Sequence, residues 1–367
     1  MSPVTTLQRR ALLLAAAALP LPLRALVRRT LQFPRDHGSH PDSRTEWWYL
    51  TGWLQHAGDV APMAGFQLTF FRSRTGFGDG EPSAFAARQL LFAHAAFTDL
   101  AGRRLLHDQR SAREGLGLAA AAPGDTDVVI DRGPREWTLR RHDADGRSVY
   151  EAAWQTAGLA LRLSARASQP PLLQGEAGWS RKGPQAQQVS QYVSEPQLQV
   201  QGRLERAGRV EAVTGQAWLD HEWSDELLSP GVVGWDWIGM NLFDGSALTA
   251  FRLRTADGNT HWAGGSRRTA DGATRRFEPQ DVCFEPTGER WTSPTTGAVY
   301  PVAWQIVTAA GRWTVRPLLA AQELDSRRGT GTAYWEGLSE LLDDRGRPVG
   351  RGYLEMTGYA GTLRLTP

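Results

Sequence analysis

Phe33-Pro-Arg-Asp-His-Gly-Ser-His-Pro-Asp-Ser-Arg-Thr-Glu-Trp-Trp-Tyr-Leu-Thr-Gly-Trp53 begins as a polar loop holding His37 and His40 and ends as an aromatic strand. Successive side chains of an extended strand point to opposite faces. Trp47 and Tyr49 therefore face one way and Trp48 the other, so both faces of this strand bury aromatic surface. A sheet wetted on one side has no place for that pattern. A strand wrapped into a barrel, or held between two barrels, does. Glu46 stands at the mouth of the aromatic cluster, where an apolar surround is expected to raise its pKa.

Away from this stretch the chain reads as strands and turns. Phe66, Leu68 and Phe70 alternate with Gln67 and Thr69; Leu159, Leu161 and Leu163 alternate with Ala160 and Arg162; Trp313 and Val315 alternate with Arg312, Thr314 and Arg316. This period of two predicts strands with one buried face. Asp-Gly pairs beginning at Asp79, Asp145, Asp244, Asp257 and Asp271 predict tight hairpins, since those residues tolerate the positive φ that such turns need. A short helix is expected only between Gly80 and Gln89. Many short strands joined by turns predict an all-β chain of barrels or sandwiches.

The length of 367 residues is about that of two domains. A weak internal echo agrees, because Trp47-Trp-Tyr-Leu-Thr-Gly-Trp53 is answered by Trp235-Asp-Trp-Ile-Gly-Met240, and an alternating strand follows each. The expected boundary lies near Gln201 to Gly208, giving domains at 30–205 and 206–367, with Gln174 to Gln191 as an ordered crossover.

The net charge of +2 offers no electrostatic basis for holding nucleic acid. Lys182 is the single lysine, and the arginines are scattered. The lone Cys283 excludes an internal disulfide or a thiolate metal cluster. Arg9-Arg10 followed by the apolar run Ala11 to Leu19 has the form of a twin-arginine export signal, residues 1–25, and is too short to span a bilayer. A periplasmic or secreted protein with no membrane span after signal removal is the expectation.

Three clusters carry possible chemistry. In Asp220-His221-Glu222-Trp223, an extended chain places His221 and Trp223 on one side and Asp220 and Glu222 on the other. His221 has the pKa of a general acid or base; a buried histidine satisfied by backbone is the structural alternative. In Trp235-Asp236-Trp237, an acid between aromatic rings would stay protonated near neutral pH, and the rings would stabilise a carbocation; pairing of Asp236 with an arginine is the alternative. The loop His37-x-x-His40 lacks the spacing of a metal motif, and its histidines are expected to cap a barrel mouth. His94 is expected in a core or cavity lining. No Gly-x-Ser-x-Gly elbow or phosphate loop is present, which leaves a serine or metallo-hydrolase reading unsupported and no cofactor implied.

The opening stretch, with Gly65 to Arg74, Gln89 to Asp99, Trp218 to Trp223 and Gly234 to Gly239, resembles the secreted two-domain lipocalin-like proteins that include AttH and the carotenoid 1,2-hydratases. The resemblance implies two lipocalin-like β-barrels side by side. It also implies that His221 and Trp223, a His-x-Trp pair, belong to an active centre. The acid those hydratases carry on the following strand is missing, because Ser246 to Arg254 contains none. Protonation would then fall to Asp236, Glu46 or Asp220.

The expected activity is acid–base chemistry on a hydrophobic small molecule: water addition to, or cyclisation of, an isoprenoid or polyketide. His221, Asp220, Asp236 and Glu46 are the candidate catalytic residues. Trp47, Trp48, Tyr49, His94, Trp223, Trp235 and Trp237 are expected to bind the substrate. A non-catalytic carrier of lipophilic ligands, or a structural assembly factor, are the alternatives. The sequence is silent on oligomeric state.

Overall fold

The computed structural model describes residues 26–77, 83, 85–226, 228–327, 329 and 331–361. The export signal expected at 1–25 and the Asp79-Gly80 turn lie outside these residues. The described part of 80–89 contains no helix, and Gln89 already begins a strand.

The chain is all-β and forms two lipocalin-like barrels, built on a 13-stranded and a 10-stranded antiparallel sheet. In each sheet the first long strand lies between its hairpin successor and the last strand of its own unit. Thr45–His56 pairs with Ala64–Arg74 on one side and Arg209–Ser224 on the other. Val232–Leu242 pairs with Ala247–Thr255 and Pro348–Met356 in the same way. The aromatic echo between the halves thus falls on topologically equivalent strands. The expected boundary at 205/206 needs correction, because Ala207-Gly208 is the turn of a hairpin within the first sheet. The chain passes to the second sheet between Ser224 and Val232.

Local chemistry sets these elements. Asp145 and Gly146 both take positive φ, 55° and 71°, the backbone of a two-residue hairpin turn whose twist matches its strands. The Asp-Gly pairs at 244, 257 and 271 join consecutive hairpin strands of the second sheet. The Gln-rich crossover is ordered: Gln174 donates to Ser194 Oγ at 2.9 Å and accepts from Ser266 Oγ at 2.8 Å, which ties the two sheets together.

One expectation fails in an informative way. Phe66, Leu68 and Phe70 do enter the core of the first barrel, beside Trp48 and Leu50. Gln67 and Thr69, expected to face water, are 1% and 0% exposed. The second barrel packs against their face of the sheet. Between the barrels lies a further apolar layer in which Tyr49, Trp53 and Trp218 meet Trp237, Leu338 and Tyr353. Tyr49 stands edge-on to Trp237 at 5.4 Å. The opening strand therefore buries both faces, Trp48 in its own barrel and Tyr49 against the neighbouring one.

Candidate functional site

The face shared by the two barrels opens into a cavity of about 100 Å³. Alternation decides what points into it. From the first barrel come Trp47 and Tyr49 of Thr45–His56, Gln67, Thr69 and Phe71 of Ala64–Arg74, His94, and Asp220 and Glu222 of Arg209–Ser224. From the second come Trp235, Trp237, Phe251, Tyr334, Glu336 and Glu355. Register puts Tyr49 opposite Asp220, Trp47 opposite Glu222, Trp237 opposite Glu355 and Glu336 opposite Glu355. Tyr192 and Phe251 also line an adjoining cavity of about 420 Å³.

An aromatic box with few waters penalises charge on its acids. Burial raises Glu336 well above the carboxylate range, and the charge of Glu355 adds to the effect. Burial pushes Glu355 up to about 7, with Asp220, Glu222 and Asp236 acting in the same direction. Glu355 is hemmed in by protein yet keeps some surface open to the cavity. Burial also pushes Asp220 up to about 7, against hydrogen bonds that favour its ionised form. Those bonds come from Tyr192 at 2.6 Å, Ser194 at 2.5 Å and Trp218 Nε1 at 2.7 Å. Asp220 is thus fully engaged and fixes Tyr192, whose oxygen also accepts from Trp237 Nε1 at 3.1 Å.

Glu336 is placed differently. Gln67 Nε2 donates to its Oε2 at 2.7 Å, and the carboxyl also lies against the Tyr49 hydroxyl. Gln67 Oε1 is buried without a partner. Burial, with Glu336 beside it, holds the Tyr49 phenol protonated. His94 is kept neutral by burial, its pKa down to about 3, and shares its Nδ1 with the Tyr334 hydroxyl at 2.7 Å. Lys182 Nζ pairs with Glu222 Oε1 at 2.8 Å.

His221, Trp223, Trp48 and Glu46 lie on the opposite faces of the same strands, inside the first barrel. Glu46 is fully buried and accepts from His40 at 2.7 Å, His221 Nε2 at 2.9 Å and Arg72 Nε at 2.7 Å. Burial alone would raise its pKa, but these partners outweigh it and hold Glu46 well below the carboxylate range, so the expected rise is corrected. His40 stacks on Trp223 with centroids 3.7 Å apart, and His221 on Trp48 at 4.7 Å. Asp36 closes the network through Arg29 and His40. Both loop histidines are buried, and Trp48 Nε1 bonds the His37 carbonyl, so this loop caps the barrel. Among the described residues, His40, Glu46 and His221 could hold a metal ion, their ligand atoms lying within 4.8 Å of one another. Here Glu46 is engaged by both histidines and Arg72, and His40 by Asp36 as well, while His221 Nδ1 has no hydrogen-bond partner.

Asp236 points into the second barrel. It pairs with Arg252 at 2.7 Å and Arg254 at 2.9 Å and accepts from Tyr359 at 3.0 Å. Its expected role as an aromatic-pocket acid is not supported by that position. Of the expected catalytic residues the cavity receives Asp220 alone; of the expected binding residues it receives Trp47, Tyr49, His94, Trp235 and Trp237, but not Trp48 or Trp223. Glu336, Glu355, Tyr192, Tyr334 and Lys182 were missed. Their signal was a carboxylate amid apolar alternation, as in Tyr334-Trp-Glu-Gly-Leu338 and Tyr353-Leu-Glu-Met356.

Residues 24–359 match the AttH-like family, and the chain belongs to it. It is similar to a Nitrosomonas europaea protein crystallised as a candidate AttH, with 46% identity and a TM-score of 0.81 over 91% of this chain and 99% of that one. Kievitone hydratase from Nectria haematococca superposes with a TM-score of 0.68 at 14% identity, over 90% and 94% of the two chains. CghA does so with 0.51 at 13% identity, over 89% and 90%. At those identities the likeness is one of fold. No curated protein matches the sequence.

Proposed function

We propose that this member of the AttH-like family is an acid catalyst for a hydrophobic small molecule, working in the cavity between its barrels. One observation carries the reading: Glu336 is buried among the aromatic rings that line the cavity and is held protonated by burial, with Gln67 and Tyr49 beside its carboxyl. A carboxylic acid kept neutral at pH 7 can give its proton to an isolated double bond. In hydration, the Glu336 O–H proton passes to one alkene carbon and the other becomes a carbocation facing the rings. Water then bonds to that carbon, and its surplus proton returns to the Glu336 carboxylate. If an internal alkene attacks in place of water, the cation moves to a carbon of the new ring, and loss of a neighbouring C–H proton to the Glu336 carboxylate completes a cyclisation. Gln67 orients Glu336, Asp220 orients Tyr192, and Glu355 helps to keep Glu336 protonated.

Hydration is the favoured form, and kievitone hydratase, a hydratase on this fold, supports it. The twin-arginine pattern at Arg9-Arg10 supports action after export. The test is turnover of acyclic isoprenoids and kievitone by the wild type and by Glu336→Gln, followed by mass spectrometry. Loss of roughly 100-fold or more in rate is expected for the variant. A lipophile that binds and is never altered would make the protein a carrier.

A further inference from the structure

The only lysine of the chain ends inside this cavity. Lys182 leaves the Trp179–Arg181 strand on a loop closed by its own N–H donating to the Gln188 carbonyl at 2.7 Å. Its ammonium lies 4.3 Å from the ring centre of Phe251 and 4.7 Å from that of Tyr192, and 2.8 Å from Glu222 Oε1. Two ring faces and a carboxylate around one ammonium are the elements of an aromatic cage for cations. Apart from His94, which burial keeps neutral, the other ionisable side chains here are acids and tyrosines. Asp220, Glu222, Glu226, Glu336 and Glu355 line the cavity, and Lys182 is the only cation among its lining residues. The Lys182 side chain keeps 21% of its surface exposed, so the ammonium sits at the edge of the solvent.

Building on the reading of this cavity as the substrate site, we infer that the Phe251–Tyr192–Glu222 corner is a cation-binding subsite that Lys182 fills as a tethered stand-in. The ligand it takes is an apolar molecule that carries, or develops during reaction, a positive charge. A lipophilic ammonium compound is the stable form of that chemistry. When Lys182 withdraws, the two rings beneath it, which form walls of both cavities, become available to the ligand. The adjoining cavity, at about 420 Å³, already has the roughly 300–1,000 Å³ typical of small-molecule sites.

The test uses three probes with one alkyl chain: octyltrimethylammonium, 1-octanol and octanoate. Each is titrated against the tryptophan fluorescence of the full-length protein and of Lys182→Met, with thermal melts confirming that the variant is folded. The ammonium is expected to bind Lys182→Met roughly tenfold more tightly than octanol does, and more tightly than it binds the wild type, where Lys182 competes. Glu222→Gln in the same background should erase that preference. The inference alone is overturned if octanol binds and the ammonium gains nothing. It is reversed if octanoate prefers the wild type and loses affinity in Lys182→Met, which would make Lys182 an anchor for anions. If no probe binds either protein, the cavity is not a lipophile site, and this inference falls together with the proposed function.

Discussion

Glu336 lies directly opposite Glu355 on neighbouring antiparallel strands, with both side chains on the face that meets the first barrel. Two carboxyls so placed in an apolar box cannot both ionise cheaply. Here they share the cavity with Asp220, and burial raises all three. The pair is a means of holding a proton at neutral pH, and it comes from the second barrel, while the polar atoms that orient it come from the first.

The Glu355→Gln variant separates the two partners. Removing the neighbouring charge lowers the pKa of Glu336 toward its ordinary value, so the alkaline limb of the rate profile should move to lower pH. Stability responds too. A carboxyl whose folded pKa is raised loses stability for the fold as pH climbs from its unfolded value of about 4.5 through about 7. Thermal melts should therefore show Glu355→Gln gaining on the wild type at pH 8.5, with little or no gain at pH 5.

Glu46 has the opposite sign. Its folded pKa is depressed, so its contribution is complete above the unfolded value and is lost as pH falls below it. Glu46→Gln leaves the Arg72 guanidinium, 1% exposed, without its carboxylate. A cost of about 3–5 kcal/mol is expected in denaturant unfolding at pH 7, together with a flatter acid limb.

His221→Asn tests the division between the two sites. The ring belongs to the cap of the first barrel and bonds Glu46, on the face of its strand turned away from the cavity. The variant should lose stability, by about 1–3 kcal/mol, and keep its turnover once melting is accounted for. A rate loss of 100-fold in a fully folded protein would move the chemistry into the barrel.

At Gly65 the first sheet comes close against the second. A Cβ there would lie 2.7 Å from the Tyr353 hydroxyl and 2.9 Å from Leu338 Cβ. Gly65→Ala should cost about 1–3 kcal/mol through overpacking, and weaken lipophile binding by displacing the cavity wall, measured by melting and fluorescence titration.

Much of this was legible in the chain. The double aromatic face of Trp47, Trp48 and Tyr49 announced a strand between two packed layers, and alternation placed Asp220 and His221 on opposite sides. The partner of each face was not legible. A period of two says that Gln67 and Phe66 point apart, but not that a second barrel covers Gln67. For the same reason Asp236 read as a pocket acid, although its face turns toward Arg252 and Arg254. Glu336 and Glu355 lie more than a hundred residues along the chain from Asp220, and only the docking of the barrels brings them together.

The most direct measurement is mass spectrometry of isoprenoid substrates incubated in heavy water with the wild type and with Glu336→Gln. The account predicts a product heavier by one heavy water from the wild type, and roughly 100-fold less or none from the variant. Equal turnover by both proteins would contradict it and take Glu336 out of the chemistry.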